Sequence, residues 1–129
     1  MKKTYLDASV LLRAARGDDE LSRSAIDILC DPEREFVSSP LVRMELLPLA
    51  VDRAEIEFYE TYFDRVSTWA QPNGHLMEAA IEEAQTSKVT ALDAIHLVIA
   101  AAAGCEEFIT AESRNTSIFT TKRLKVIGL

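Results

Sequence analysis

Short apolar segments of β-strand character alternate with helical segments along the whole chain. The strand-like runs are Lys3–Leu6, Glu35–Ser38, Phe108–Thr110 and Lys125–Ile127. Consecutive parallel strands need a long crossover, usually a helix, so this alternation is typical of a parallel sheet with helices on both faces. The sequence therefore predicts an α/β fold with a short central parallel sheet of four or five strands. Ligands of such sheets bind at the carboxyl ends of the strands.

The intervening segments carry helix signals. Apolar periodicity predicts helices over Ala8–Arg16, about 21–29, Leu41–Leu47, Glu55–Trp69, Leu76–Thr86 and Thr90–Ala103. Gly17 and Gly104 are expected to end two of them. Ser39 is predicted to be an N-cap with Pro40 at the first helical position, and Pro48 should kink or stop that helix.

Length and charge limit the possible functions. With 129 residues and no linker rich in glycine or proline, residues 1–129 are expected to form a single domain. The formal net charge of −7 argues against a protein that binds nucleic acid through a broad basic face. If the chain acts on a polyanion, metal ions and a local basic patch must supply the attraction.

The cysteines and the apolar runs indicate the compartment. Cys30 and Cys105 lack the spacing of a zinc site or of a disulfide framework, which is consistent with a reducing cytoplasm. The longest unbroken apolar run, Leu97–Ala103, is too short to span a bilayer. We expect a soluble, unprocessed cytoplasmic protein without a membrane partner.

Four carboxylates are placed where an open α/β sheet would bring them together. Asp7 follows the first strand-like run, Glu112 follows the run that ends at Thr110, and Glu45 and Asp93 lie in apolar helical stretches. Crowded carboxylates repel one another unless they are protonated, paired with cations or bound to a metal ion. A site for a divalent cation is the interpretation that would make this chain an enzyme.

Each acid also has a structural explanation. Asp7 has the residue type and position of an N-cap for the helix that begins at Ala8. Thr90 and Asp93 have the spacing of a capping box. Glu112 lies in a polar loop, where an exposed glutamate is ordinary.

Glu45 and Asp93 are harder to explain as surface acids. Glu45 has no lysine or arginine three or four positions away, and both acids lie among apolar residues. An unpaired buried carboxylate costs several kcal/mol, so each calls for a partner or an ion. His96 is interpreted as a hydrogen-bonded core or rim histidine rather than a metal ligand, because Mg²⁺ prefers oxygen.

Four segments together resemble one family. Leu6-Asp7-Ala8-Ser9, Arg43-Met44-Glu45-Leu46, the run from Ala91 to Leu97 and Ile109-Thr110-Ala111-Glu112 occur in the order found in PIN-domain nucleases, and the chain is most similar to VapC-type toxins of toxin–antitoxin pairs. The resemblance implies a single PIN-like, Rossmann-like domain. It also implies a ribonuclease that hydrolyses RNA phosphodiester bonds with Mg²⁺ or Mn²⁺.

The resemblance assigns roles to individual residues. Asp7, Glu45 and Asp93 match the acids of the family, which hold the metal and act in catalysis, and Ser9 and Thr110 match hydroxyl residues that orient them. Glu112 stands where the family generally has aspartate. Its side chain is one methylene longer, so it can bind Mg²⁺ directly or through water, with a changed reach.

Partners follow from the same resemblance. They are an RNA substrate, a cognate antitoxin protein and a second copy of the chain in a homodimer. Residues available for RNA phosphate contacts, if they are not simply solvated surface charges, are Arg13, Arg16, Arg43 and Arg114. An apolar stripe, Ile56, Tyr59, Phe63 and Val66, is predicted to be core, with a groove for an antitoxin helix as the alternative.

Other functional classes fit less well. A phosphatase with a nucleophilic aspartate in a DxD motif would need a second acid where this chain has Ser9, and a receiver domain would need adjacent acids near the first strand. A non-catalytic PIN-like module that binds RNA or a protein partner remains open, because Glu112 departs from the pattern of the nucleases.

Overall fold

The computed structural model describes all 129 residues. The strands are β1 (Lys2–Leu6), β2 (Arg34–Ser38), β3 (Val66–Trp69), β4 (Glu107–Thr110) and β5 (Lys125–Gly128). The α-helices are α1 (Ala8–Arg16), α2 (Glu20–Leu29), α3 (Pro40–Leu46), α4 (Arg53–Arg65), α5 (Gly74–Ser87) and α6 (Ala91–Ala102). Short 3₁₀ turns cover Leu47–Leu49 and Ser117–Thr120.

All strands are parallel and form one sheet in the order β3-β2-β1-β4-β5. This arrangement confirms the predicted α/β fold with a parallel sheet. The central strand β1 pairs Tyr5 with Val37 of β2 on one side and with Phe108 of β4 on the other. The backbone N–H of Asp7 extends the second pairing, because it donates to the carbonyl of Ile109 over 2.9 Å. The ends of β1 and β4, with Asp7 and Glu112 beyond them, therefore lie side by side.

The predicted helix over Glu55–Trp69 is wrong at its end. Helix α4 stops at Arg65, and Val66–Trp69 forms β3, an edge strand paired with Phe36–Ser38 of β2. Val66 and Thr68 are β-branched and pair with apolar residues of β2, which favours a strand once that neighbour is in place. Pro48 stops α3 as predicted, and the chain continues through a 3₁₀ turn.

The predicted helix boundaries at Ser39 and Gly104 are both found in the structure. Ser39 occupies the N-cap position before Pro40, as predicted, but its side chain makes no capping bond. Its hydroxyl lies 2.9 Å from the Tyr5 hydroxyl instead. Gly104 has a φ of +80° directly after α6, where a residue with a Cβ would be strained. The predicted glycine end of that helix is confirmed.

The core packs α1, α4 and α6 against the sheet around the rings of β1 and β4. Tyr5 and Phe108 are fully buried and stacked, with ring centroids 5.5 Å apart and an angle of 10° between the planes. Tyr59 and Phe63 of the predicted apolar stripe are also buried, whereas Ile56 is 38% exposed. The stripe is thus core at two of its positions. None of the helices combines the length and the apolar character that crossing a membrane would require.

The buried carboxylate of Glu107 forms hydrogen bonds with two neighbouring strands at the amino ends of the strands. Glu107, only 2% exposed, accepts hydrogen bonds from Thr4 Oγ1 and Arg34 Nε, each over 2.8 Å. These three residues belong to β4, β1 and β2, so one side chain links three neighbouring strands. The group is at the edge opposite Asp7 and contributes to stability rather than to the candidate site.

Candidate active site

Asp7 is held by two hydroxyl groups at the carboxyl end of β1. Its Oδ2 accepts hydrogen bonds from Ser9 Oγ and Thr110 Oγ1, each over 2.9 Å, and the residue is 7% exposed. It has the extended backbone of an N-cap residue, but its carboxylate makes no capping bond to α1. Asp7 therefore has the N-cap position of the structural alternative, but capping does not explain its carboxylate. Both predicted supporting residues contact the acid, and Thr110 reaches it from the neighbouring strand.

Glu45 on α3 is hydrogen-bonded to the residue that the sequence assigned to the core. Glu45 Oε1 lies 3.0 Å from His96 Nε2, and the Glu45 side chain is 23% exposed. His96 is fully buried, and its Nδ1 lies 2.7 Å from the Tyr5 hydroxyl. The prediction of a hydrogen-bonded core histidine is confirmed. The expected partner of Glu45 is this imidazole, which sequence reasoning did not connect with it.

Asp93 lies in the first turn of α6, and its backbone N–H donates to Thr90 Oγ1 over 3.2 Å, which confirms the predicted threonine cap. Burial raises the pKa of the Asp93 carboxyl, the charges of Asp7 and Glu45 raise it further, and His96 opposes the shift. The Asp93 carboxylate is therefore close enough to acids of two other segments of the chain to be repelled by their charges.

Glu112 is half-buried beyond β4 rather than fully exposed in its loop, and its backbone N–H donates to Thr110 Oγ1 over 3.1 Å. Burial raises the pKa of its carboxyl, and the charges of Asp93 and Asp7 add to the effect. Thr110 therefore connects Glu112 with Asp7, because its hydroxyl contacts both residues.

The four carboxylates line one open pocket of about 560 Å³ together with Ser9 and apolar residues of α1 and α3. No three acidic, histidine or cysteine side chains converge closely enough in this structure to form a ready-made metal site. The donor set nevertheless fits a hard cation such as Mg²⁺ or Mn²⁺, because it offers only oxygen. Burial raises the pKa of Asp93 and of Glu112, and repulsion from neighbouring acids adds to the shift, so a cation would favour their ionised forms.

Only two of the four predicted RNA-contacting arginines lie next to the acidic pocket. Arg13 and Arg16 line a second pocket of about 420 Å³, which shares Ser9 and Glu112 with the acidic pocket. Arg16 is also engaged elsewhere, because its Nη2 lies 2.9 Å from Glu55 Oε2 and 2.7 Å from the Leu49 carbonyl.

The other two arginines line neither pocket. The guanidinium of Arg43 lies 5.9 Å from the centroid of the Phe63 ring. Arg114 is exposed in the loop after Glu112.

The sequence profile of the PIN domain matches residues 4–118. The chain belongs to the PIN-domain family. The match contains the last three residues of β1, all of β2 to β4 and all four carboxylates of the pocket. No curated protein sequence matches this PIN domain significantly.

Solved structures with the same fold include components of toxin–antitoxin complexes. A chain of VapBC2 from Rickettsia felis, bound to a promoter DNA fragment, has a TM-score of 0.73 at 10% identity, with 98% of each chain covered. VapBC-5 from Mycobacterium tuberculosis has a TM-score of 0.66 at 14% identity over 100% of both chains. VapC20 from the same organism, a toxin that cleaves the sarcin–ricin loop, has a TM-score of 0.66 at 16% identity, over 81% of this PIN domain and 86% of VapC20.

Proposed function

We propose that this PIN domain is an endoribonuclease dependent on Mg²⁺ or Mn²⁺ and the toxin of a toxin–antitoxin pair. The supporting observation is the pocket that Asp7, Glu45, Asp93 and Glu112 line together. The acids come from four separate segments, and burial, with the charges of the neighbouring acids added to it, raises the pKa of Asp93 and of Glu112. Four carboxylates around one pocket that no lysine or arginine lines favour a function that needs a cation.

A bound divalent ion would make a water molecule acidic enough to attack a phosphodiester and would compensate negative charge on the phosphate. The residues that would hold the ion are Asp7, Asp93 and Glu112, with Glu45 as a further ligand or as the proton acceptor. Ser9 and Thr110 hold one oxygen of Asp7, which orients the other toward the pocket. Glu45 Oε1 is bonded to His96, so Oε2 is the atom available to accept a proton.

We expect RNA cleavage to require added Mn²⁺ or Mg²⁺, because the chain itself supplies only repelling carboxylates at the pocket. The measurement is cleavage of mixed RNA and of a sarcin–ricin-type loop, with and without EDTA. Activity should disappear in EDTA and return when Mn²⁺ is added in excess. A folded protein that neither cleaves RNA nor binds Mn²⁺ would contradict the proposal and favour a non-catalytic binding module.

The Glu112→Asp variant is expected to keep or exceed the activity of the natural chain. The shorter side chain restores the usual reach of the family, and the backbone bond from position 112 to Thr110 is unaffected. The measurement is kcat/KM for RNA at saturating Mn²⁺, with Glu112→Gln as the matched control that removes the charge. A loss of about tenfold or more in Glu112→Asp would show that the longer glutamate has a geometry of its own here.

The proposed antitoxin partner fits an apolar groove between α2 and α4. The groove has a volume of about 360 Å³ and is lined mainly by apolar side chains: Ile26, Leu29, Cys30, Phe58, Thr61, Tyr62 and Arg65. An amphipathic helix buries its apolar face in such a groove. Its basic residues would be attracted by the acidic pocket. Co-expression with the product of an adjacent small reading frame should yield a stable complex that no longer cleaves RNA.

The proposed homodimer would use the apolar side chains that the single chain leaves exposed on α5. Met77 is 42% exposed and Ile81 is 55% exposed, and both line a shallow pocket of about 260 Å³ with residues of α6. Contiguous exposed apolar surface of this kind is typical of interaction sites. Light scattering on the purified chain measures whether its mass is that of one copy or two.

We also propose that this toxin acts in the cytoplasm.

A further inference from the structure

A buried line of polar groups runs from the end of β2 to the Glu45 carboxylate. Ser39 Oγ lies 2.9 Å from the Tyr5 hydroxyl, which lies 2.7 Å from His96 Nδ1, and His96 Nε2 lies 3.0 Å from Glu45 Oε1. Ser39, Tyr5 and His96 are all 0% exposed. Only Glu45, at the end of the line, reaches the acidic pocket.

The chemistry of these groups allows one arrangement of hydrogens when Glu45 is ionised and His96 is neutral. A carboxylate only accepts, so His96 must carry its hydrogen on Nε2 and donate it to Glu45. His96 Nδ1 is then an acceptor, which the Tyr5 hydroxyl satisfies as donor. Tyr5 in turn accepts from the Ser39 hydroxyl. Burial raises the pKa of the Tyr5 phenol, which keeps it protonated and able to donate.

From this geometry we infer that Tyr5 and His96 are positioning residues. The Tyr5 hydroxyl donates to Nδ1 of the Nε2–H tautomer that the ionised Glu45 requires, which fixes the imidazole and, through it, the Glu45 carboxylate toward the pocket. The consequence for metal binding and cleavage rests on the proposed function, whereas the tautomer is a property of the chain alone. Groups that hold a metal ligand from behind typically change metal affinity or activity by about 10- to 100-fold. Here the two positioning residues are both buried in the core, Tyr5 on the central strand β1 and His96 on α6.

The Tyr5→Phe variant tests the inference, because it keeps the ring that stacks on Phe108 and removes only the hydroxyl. The first readout is the ¹⁵N spectrum of the imidazoles, in which the protonated and unprotonated nitrogens have widely separated shifts. The chain has only two histidines, and exposed His75 serves as the internal reference. The second readout is the Kd for Mn²⁺ by calorimetry, and the third is kcat and KM for RNA.

A matched control lies on the same strand. Thr4 is also 0% exposed, and its hydroxyl bonds to Glu107 at the other edge of the sheet. Thr4→Val removes a buried hydroxyl of comparable structural importance without touching the line to Glu45. Ser39→Ala removes the outermost hydroxyl of the line and provides a second variant in case Tyr5→Phe folds poorly.

We expect natural His96 to show the Nε2–H pattern. Tyr5→Phe should keep that tautomer, with the Nδ1 resonance shifted toward the value of an acceptor that has lost its donor. The Kd for Mn²⁺ should rise and kcat should fall by about tenfold, with KM for RNA little changed. Ser39→Ala should have smaller effects in the same direction, and Thr4→Val should match the natural chain. The inference is overturned if Tyr5→Phe keeps either the natural Nδ1 shift or the natural Kd for Mn²⁺. A natural chain that binds Mn²⁺ without cleaving RNA would overturn the nuclease proposal instead, and the spectrum and the Kd would still decide the inference.

Discussion

Replacement of Asp93 by asparagine should abolish RNA cleavage and at the same time raise the melting temperature of the metal-free protein. The loss should be about a thousandfold or more in kcat/KM, because removing an ion ligand forfeits several kcal/mol of stabilisation in the transition state. Stability should change in the opposite direction. Burial and the charges of Asp7 and Glu45 raise the pKa of Asp93, so its ionised form is unfavourable in the folded chain. Asparagine has a similar shape without the charge.

The pH dependence distinguishes this explanation from a general change in folding. A carboxyl whose pKa is raised by folding stabilises the protein below its unfolded pKa, and that contribution is lost as the pH rises through the folded pKa. The difference in melting temperature between Asp93→Asn and the natural chain should therefore shrink as the pH is lowered and Asp93 becomes protonated. The measurement is thermal unfolding in EDTA from neutral to acidic pH. A lower melting temperature for Asp93→Asn at neutral pH would contradict the proposed repulsion.

The Glu107→Ala variant is expected to lose about 3 kcal/mol of unfolding free energy, the largest effect that we predict outside the acidic pocket. Glu107 is 2% exposed, and its removal takes the 2.8 Å bond from the buried Thr4 hydroxyl and one of two carboxylate partners from the partly buried Arg34 guanidinium, which keeps Asp31. The three residues belong to adjacent strands, so the loss weakens the sheet where β1, β2 and β4 begin. The measurement is urea denaturation monitored by circular dichroism.

The neighbouring residue gives the control for this variant. Glu106 is exposed, and its carboxylate accepts only the backbone N–H of Lys3 over 3.1 Å. Glu106→Ala should cost less than about 1 kcal/mol, because a solvent-exposed hydrogen bond contributes little net stability. Similar losses in the two variants would show that Glu107 does not link the strands in the way described.

Sequence reasoning predicted the sheet because its signals are local. Alternating strands and helices, Gly104 after α6 and Thr90 at its start are each readable from a few neighbouring residues. Strand β3 was not predictable in this way. Val66–Trp69 follows α4 without a glycine or proline, and pairing with β2 makes it a strand. Periodicity within one segment carries no information about such a neighbour.

The four acids of the pocket were found because their residue type and placement at strand ends or in apolar helices are visible in the sequence. The groups that orient them were only partly visible. Ser9 and Thr110 were assigned by resemblance, whereas the bond between His96 and Glu45 joins positions 51 residues apart. Ser39 has both the residue type and the position of an N-cap, yet its hydroxyl forms a hydrogen bond with the Tyr5 hydroxyl and not with the helix. Tertiary packing determines which of two possible hydrogen bonds such a side chain makes, and a local sequence pattern does not record that packing.

The central position of β1 determines when the acidic pocket can form during synthesis of the chain. Asp7 receives its bond from Thr110, which is added to the growing polypeptide 103 residues later. Until β4 has left the ribosome, the strand that carries Asp7 has an unpaired side and its carboxylate lacks one of its two holding groups. A nascent chain that ends before β4, which begins at residue 107 of 129, should therefore lack the complete acidic pocket, and under the proposed function it should not cleave RNA.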